Sequence, residues 1–303
     1  MTKYNDEYDW RAAQISSCEK VLTAIDEHIE IVKSSMEDDF DGTKDRYISA
    51  ILRSKKSVVN EMRGLVNSEM IDIDIDFDFY TDTPKDKDPD SFSPTLRRYH
   101  CELWSKSLPS GSNFHLNLDV PKLLHHKSEL GEYLLSSDCI GHDYSNVKKM
   151  SQIIGQLEVE EIKEFSHICS TIGAYVVFPS KRIDNQMTIN GARGCNSKIQ
   201  DRFDLTLECI RRFYLGEPSP LTPVLERYSD FFHLFSNFKG YVDFFLLQDL
   251  VINDYNEVNF WLAFDNFSRH PLPRNLSEYL DYRIRVTNFI KLRNQRISRS
   301  ITS

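Results

Sequence analysis

The sequence predicts an α+β protein with an N-terminal helical hairpin, a small mixed sheet and a helical C-terminal half around a buried central helix. Three observations support this fold class. Two long segments near the N-terminus repeat apolar residues every three or four positions, as amphipathic helices do. Short runs of β-branched and aromatic residues follow in the middle of the chain. Residues 241–252 are apolar nearly all round, which is typical of a helix inside a core.

Composition narrows the class of protein. The chain has 303 residues, 40% of them hydrophobic, which suits one or two domains with a real core. No apolar run is long enough to span a membrane, and the acidic, polar N-terminus does not resemble a secretion signal. The six cysteines include no Cys-x-x-Cys pair. This favours a reducing, cytoplasmic location and argues against a structural zinc site.

The N-terminal region, residues 1–70, predicts two helices, at 8–36 and 43–70. A short connection containing Gly42 separates them, as in a hairpin of antiparallel helices. We expect this hairpin to precede a larger α+β domain, residues 71–303, and to cover that domain, form a dimer or dock a partner protein.

Charge is distributed unevenly along the chain. Residues 1–90 carry 12 Lys and Arg against 22 Asp and Glu, a net charge of −10. Residues 269–303 carry eight Lys and Arg against two acids, a net charge of +6. Basic surfaces attract nucleic acid and acidic ones repel it. The sequence therefore predicts a nucleic-acid contact at the basic C-terminal helix.

Ile71 to Tyr80 gives the strongest strand prediction, because apolar residues alternate with four aspartates. Such a row of aspartates fits a calcium site or, more often, a solvated strand face. Residues 174–178 form an apolar run that ends at a proline, as a buried strand does. Further strands are predicted at 114–118 and 187–189.

Helical periodicity covers most of the remaining chain, with a break at the prolines 218 and 220. The helices predicted on this basis are 145–170, a segment that begins at Lys198, 221–235, 241–252 and 276–297.

Ile189 to Tyr214 holds the densest mixture of glycine, arginine and carboxylate in the chain. Two glycines bracket Arg193, which is typical of a loop that approaches a ligand closely. Carboxylates three and four residues apart share a helix face and can hold a divalent cation. The same face is typical of a helix stabilised by ion pairs, and that arrangement is the more frequent one. The charged residues concerned are Asp201, Asp204, Glu208, Arg211 and Arg212.

Thr95 to Lys106 is the second stretch rich in reactive side chains. Its basic residues suit anion binding, and His100 could also act as an acid or base. The alternative is an amphipathic segment whose aromatic residues lie in the core and whose histidine is a satisfied hydrogen-bond partner. The residues predicted to bind ligand here are Arg97, Tyr99, His100 and Lys106.

The polar residues inside the predicted central helix need partners, because an unpaired buried carboxylate is costly. The side chains concerned are Asp243, Gln248 and Asp249. Arginines paired with them would form either a structural network or part of a catalytic site, and the sequence supports both interpretations equally. The arginines available for it are Arg193, Arg202 and Arg211.

Several blocks are long enough to be specific: Asp88 to Asp90, Ser93 to Arg97, Tyr99 to Lys106, Asp201 to Arg212 and Gly240 to Asp249. They resemble a bacterial family known as domain of unknown function 6994, and the likeness spans about residues 71–297. The hairpin lies outside it. The resemblance implies a bacterial or phage-related cytoplasmic protein and suggests a defence or toxin-like effector. It implies no activity and assigns no catalytic residue.

The first functional hypothesis is an enzyme that uses a divalent metal on a phosphodiester of a nucleotide or nucleic acid. Magnesium or manganese would be its cofactor. His100, Glu208 and Arg193 would be catalytic. Arg97, Tyr99, Lys106, Asn190, Arg202 and Arg211 would bind substrate, and Asp201, Asp204 and Asp249 would hold the metal.

Two hypotheses from other classes stand beside it. One is an ADP-ribosyl transferase-like enzyme that consumes NAD, in which Tyr99 and His100 would contact the ribose and a glutamate would stabilise the developing cation. The other is a non-catalytic module that binds a partner protein through the hairpin, or nucleic acid through the C-terminal helix. Phosphate-binding Walker loops and Gly-x-Ser-x-Gly elbows are absent from the sequence, so those common enzyme classes are not expected.

Overall fold

A computed structural model describes residues 3–35, 44, 47–55, 58 and 73–302. By their internal contacts these fall into two compact units, Met1–Asp72 and Ile73–Ser303. The fold is α+β, as predicted. Among the helices of the described residues, none is both long enough and apolar enough to cross a bilayer.

The N-terminal unit contains a long helix, α1 (Lys3–Ser35), and a second helical segment, α2 (residues 47–55). Side chains join the two: Lys55 pairs with Asp26, and His28 Nε2 lies 3.4 Å from Tyr47 Oη. These contacts match the predicted pairing of two antiparallel helices. The rest of the second predicted helix, 43–70, lies mostly outside the described residues.

The second unit begins with turns where the sequence predicts a strand over Ile71 to Tyr80. Backbone hydrogen bonds close the turns Asp74–Phe77 and Asp78–Thr81. The carboxylates of Asp74 and Asp78 each accept from the backbone N–H two residues on, at 3.0 and 2.9 Å. Over residues 73–80 the strand prediction is wrong because aspartate side chains satisfy local N–H groups and so favour turns over a ladder. Ile71 and Asp72, the first two residues of the predicted strand, lie outside the described residues.

The main sheet has three strands in the order β3-β4-β5, all antiparallel, so it is not mixed. The predicted strand at 174–178 is confirmed as β5. The prediction at 114–118 is only partly right, since pairing there is limited to β2 and one bridge between Asn117 and His125. The strands of this half are β1 (Lys106–Ser107), β2 (Asn113–Phe114), β3 (Leu124–Ser128), β4 (Gly131–Cys139) and β5 (Tyr175–Pro179).

Two short helices, α3 (Pro89–Phe92) and α4 (Pro94–Trp104), precede this sheet, and each has a proline in its first turn. The remaining helices are α5 (Ser151–Ile154), α6 (Val159–Ile168), α7 (Ile189–Cys195), α8 (Phe203–Leu215), α9 (Thr222–Arg227), α10 (Ser229–His233), α11 (Phe238–Phe244) and α12 (Leu276–Thr302). Two strands of two residues each, β6 (Val251–Ile252) and β7 (Glu257–Val258), form a small hairpin between α11 and α12.

Arg193 lies on a helix, α7, where the sequence predicts a loop after a strand at 187–189. The Thr188 hydroxyl caps this helix by accepting from Gly191 N–H. A threonine cap supplies the start signal that outweighs the two glycines. Helix α8 then starts at Phe203, five residues later than predicted, because Gln200 and Asp201 adopt positive φ angles.

The predicted central helix at 241–252 is shorter than expected. Helix α11 ends at Phe244, and Leu246 turns the chain with a φ of 55°. The segment is buried as predicted, with Tyr241 and Leu247 fully enclosed. Asp243 lies on α11 before this turn and is partly exposed, and it accepts from Tyr255 Oη at 2.7 Å.

Asp90 supplies a test of this fold by pH. It lies beside β4, where Ser137 Oγ donates to its carboxylate at 2.8 Å, and burial raises its pKa to about 6. The folded state therefore binds this proton more tightly than the unfolded state, and the carboxyl costs stability as pH rises from about 4 through about 6.

Asp90→Asn should raise the free energy of unfolding by about 2 kcal/mol at pH 8 and leave it nearly unchanged at pH 4. Urea denaturation at both pH values measures this. A variant no more stable than wild type at pH 8 would contradict the expectation.

Candidate functional site

Arg193 lies at the centre of a buried polar network. Its guanidinium is fully enclosed and pairs with the Asp138 carboxylate at the end of β4. It also donates to Thr206 Oγ1 at 2.9 Å and to the carbonyls of Cys139 and Asp201, both at 3.2 Å. All of these partners belong to the protein itself. The predicted catalytic arginine thus joins β4, α7 and α8, and it has no free donor directed at a ligand.

Arg202 and Asp204 form a second buried pair at the start of α8. Arg202 donates to both carboxylate oxygens of Asp204 and, through Nη1, to the carbonyl of Pro271 at 2.7 Å. Asp204 also accepts from the backbone N–H of Trp261 at 2.9 Å. The pair therefore holds both ends of the segment between residues 261 and 271. Both oxygens of Asp204 are therefore engaged, and the pair anchors this segment.

The carboxylate of Glu208 is bound by two guanidiniums. Arg211 donates to it at 2.8 and 3.0 Å, and Arg212 at 2.7 Å. This confirms the predicted ion pairs of α8, with i, i+3 and i, i+4 spacing. The hydrogen bond that Arg211 donates to Glu208 raises the pKa of the guanidinium. Both oxygens of Glu208 are engaged by arginines, whereas a general base needs a free one.

The structure places His100 fully inside the core, where its Nδ1 accepts from Trp104 Nε1 at 3.0 Å. Burial, and next the charge of Arg293, lower the pKa of this imidazole to about 3. His100 is therefore neutral at physiological pH and carries its proton on Nε2. It is the core histidine that the sequence offered as the alternative to a catalytic acid or base, except that its buried Nε2 lacks a hydrogen-bond partner among the described residues.

The other predicted ligand-binding residues also have internal partners. Arg97 donates to the carbonyls of Val120 and Leu123 at 2.9 and 2.8 Å, and the Asn190 amide donates to Ser137 at 3.0 Å. The Tyr99 hydroxyl accepts from Asp74 N–H at 3.2 Å. Lys106 alone among the predicted anion binders has an ammonium without a hydrogen-bond acceptor among the described residues.

The predicted metal ligands are not assembled into one group. Asp204 is committed to Arg202, and Asp249 pairs with Arg296 at 2.8 Å. Asp201 lies against Gly194, one turn before α8. Within residues 73–302 and the described part of the hairpin, no group of three or more His, Cys, Asp and Glu side chains is placed to hold a metal ion.

Two surface pockets lie beside these anchors, with volumes of about 510 and 480 Å³. Because Phe260 and Phe264 line both, we treat the pockets as two lobes of one surface, which we call the aromatic groove. These rings stack with centroids 4.1 Å apart and planes inclined by 13°. One lobe is further lined by Glu208, Arg211, Arg212, Ile252, Glu257, Val258 and Asn259, and the other by Trp261, Leu262, Ala263, Arg269, Glu278, Asp281 and Arg285.

Residues 257–264 form the floor of the aromatic groove, and hydrogen bonds hold this floor and the residues after it in place at several points. Asn259 N–H donates to Leu250 at 2.8 Å, and Asp204 accepts from Trp261. Arg212 donates to the Asn266 side chain at 2.7 Å and lies over the ring of Phe267, 5.0 Å from its centroid. These bonds hold the segment without a ligand, so the groove is preorganised.

The far end of the floor is tied to α12. Arg269 and Arg274 both pair with Glu278, and the hydrogen bond from Arg274 leads the effects that lower the pKa of this carboxyl. Glu278 is therefore held by two arginines in this lobe, as Glu208 is in the other.

Only part of this groove was predicted from the sequence. Glu208, predicted to be catalytic, and Arg211, predicted to bind substrate, both line it. None of residues 257–264 was predicted to belong to a site. The signal available was a concentration of aromatic residues in a polar, non-periodic segment. These aromatic residues are Phe260, Trp261, Phe264 and Phe267.

Comparison with known proteins gives one match. A family model described as a family of unknown function, DUF6994, matches residues 73–297, close to the span predicted from sequence. Neither a curated protein nor a solved structure matches the chain.

Proposed function

Because the chain belongs to DUF6994, a family of unknown function, its role has to be argued from its own geometry, and we propose that it is a non-catalytic protein-binding module. The aromatic groove would take an extended segment of a partner protein. The balance of charge in the groove lining is the observation that carries this proposal.

The lining contains four arginines and four carboxylates, so the groove has no net charge to attract a polyanion. Nucleic-acid grooves are predominantly basic because they must neutralise phosphates. A protein segment carries both signs of charge and matches such a lining. The arginines are Arg211, Arg212, Arg269 and Arg285, and the carboxylates are Glu208, Glu257, Glu278 and Asp281.

The lining also lacks the side chains that carry out most reactions. It contains no Ser, Thr, Cys, His, Lys or Tyr, and two of its four carboxylates are held by arginines. A nucleophile or general base must have a free reactive atom. The combination of phenylalanine, tryptophan and arginine is instead the composition that is enriched at protein interfaces.

The basic C-terminal helix supports a nucleic-acid partner less well than its sequence suggests. Five of the eight cations in residues 269–303 are committed within the protein. Arg269 and Arg274 bind Glu278, Arg283 binds Glu161, Arg296 binds Asp249, and Arg293 is fully buried. The charge that is free to meet phosphates is therefore much smaller than the formal +6.

A displayed library of random 12-residue peptides, selected on the immobilised full chain, tests the proposal. We expect enriched peptides that combine an aromatic anchor with charged residues of both signs. Phe264→Ala should weaken binding of a selected peptide by at least roughly 10-fold, because aromatic residues at the centre of an interface dominate affinity. Phe92→Ala makes the same change at an exposed ring on α3 and should leave the affinity unchanged.

Single-stranded RNA and ATP serve as the comparison ligands. Binding of RNA that falls steeply with salt, without any enriched peptide, would overturn the proposal in favour of a nucleic-acid module. Circular dichroism melts of both alanine variants separate loss of binding from loss of fold.

The metal-dependent phosphodiester enzyme, the NAD-consuming enzyme and the defence or toxin-like role stay predictions. The contacts of Asp204, His100 and Arg193 give them no added support. Alanine at Asp201, which is free of the buried ion pairs, tests the metal enzyme best: activity on a nucleotide or RNA that depends on magnesium and disappears in this variant would revive it.

A further inference from the structure

Three basic side chains surround the indole of Trp104, away from the aromatic groove. His100 accepts from its Nε1 at 3.0 Å, and the guanidinium of Arg293 lies 5.6 Å from its ring centroid. The Lys106 ammonium lies 5.2 Å from the same ring and 4.7 Å from the ring of Phe244. These groups come from α4, α12 and β1, so the fold brings together residues that are distant in sequence.

Among the described residues, no carboxylate forms an ion pair with this cluster. Arg293 is fully buried and donates to the backbone carbonyls of Phe245, Gly173 and Tyr175, at 2.6 to 3.2 Å. Within the described residues, neither Arg293 nor Lys106 has an acidic side chain within ion-pair distance. His100 adds no charge to the cluster, because its imidazole is neutral. The positive charge of Arg293 therefore acts on Lys106 without compensation.

Lys106 is the partly exposed member of the cluster. Its pKa is lowered to about 8, by burial first and by the charge of Arg293 second. The two aromatic faces favour the ammonium form, but their effect is smaller than that of burial. Near pH 7.5 about a quarter of this side chain is a free amine, against roughly a thousandth for an ordinary lysine. Burial beside another cation is a known way to activate a lysine as a nucleophile.

We infer that Lys106 is a nucleophilic amine that captures small, negatively charged carbonyl compounds of the 2-oxo acid type as Schiff bases. The amine nitrogen attacks the carbonyl carbon and gives a carbinolamine. Loss of one water then leaves the imine, and no oxidant or reductant is consumed. The uncompensated charge of the cluster favours an anionic carbonyl compound over a neutral one, and the rings of Trp104 and Phe244 form an apolar wall beside the new bond.

Reductive trapping tests this inference. The full chain is incubated at pH 7.5 with glyoxylate and sodium cyanoborohydride, which reduces imines to stable amines, and modification of every lysine is followed by peptide mass spectrometry. The exposed Lys127 and Lys181 are internal references. We expect Lys106 to be modified roughly 10-fold faster than either reference, because its free-amine fraction is larger. The faster modification of Lys106 should disappear in urea, because unfolding separates Lys106 from the cluster.

Acetaldehyde in place of glyoxylate tests the role of charge. The advantage of Lys106 over the references should be smaller with this neutral aldehyde, and an equal advantage would overturn the preference for anions. Modification of Lys106 no faster than Lys127 and Lys181 with glyoxylate would overturn the inference as a whole. Lys106→Arg, which keeps the positive charge, should remove the fast site and leave the reference rates unchanged.

Discussion

Replacing Asp204 with asparagine should lower the free energy of unfolding by about 3 to 5 kcal/mol, because it leaves a buried arginine unpaired. Arg202 is almost fully enclosed, and Asp204 supplies both of the oxygens that its Nε and Nη2 bind. The amide that replaces the carboxylate has one acceptor oxygen and no charge. Urea or thermal denaturation measures the loss, and failure to accumulate as folded protein is the extreme form of the same result.

Asp249→Asn is the matched control for Asp204→Asn. Asp249 also pairs with one arginine through both oxygens, but that pair with Arg296 is partly exposed. Water replaces the lost partner there, so Asp249→Asn should lower the free energy of unfolding by about 1 kcal/mol or less. Equal effects for the two variants would contradict the account of Asp204 as a buried anchor.

Arg293→Met should lower the free energy of unfolding by at least about 3 kcal/mol, although methionine keeps most of the side-chain volume. The guanidinium is the donor that the carbonyls of Phe245, Gly173 and Tyr175 share. A buried carbonyl that loses its donor costs about 1 to 3 kcal/mol. Arg293 therefore joins α12 to the turn before β5 and to the end of α11, and chemical denaturation measures its contribution.

Arg285→Met makes the same chemical change at an exposed position of α12 that lacks an ion pair among the described residues. It should change stability by less than about 0.5 kcal/mol. A loss for Arg293→Met as small as that would show that the three carbonyls find other donors. The Arg293 variant should also slow glyoxylate capture by Lys106 where it remains folded, because the neighbouring charge is gone.

Much of the fold could be predicted from local sequence signals. The α+β class, the long last helix, strand β5 and the ion pairs of α8 all follow from periodicity and spacing, which local contacts enforce. The errors fall where a single side chain decides the backbone. Aspartates 74 and 78 make turns in a segment with perfect strand alternation, and Thr188 starts a helix where two glycines indicate a loop.

The site could be predicted less well because charge density in a sequence does not distinguish a ligand site from a buried network. Arg193, Arg202 and Asp204 were singled out for their chemistry, and they are indeed unusual: each is fully or nearly fully buried. Their partners include backbone groups such as Trp261 N–H and Pro271 C=O, which carry no sequence signature. The groove that they support lies in a segment without periodicity.

Hydrogen exchange of the full chain, with and without a selected peptide, tests the central claim that the aromatic groove is the binding site. Amides in residues 257–264 should exchange more slowly when peptide is bound, and this change should be absent from Phe264→Ala under the same conditions. Slower exchange confined to the hairpin or to residues 95–106, with 257–264 unaffected, would contradict it and move the binding surface to another part of the protein.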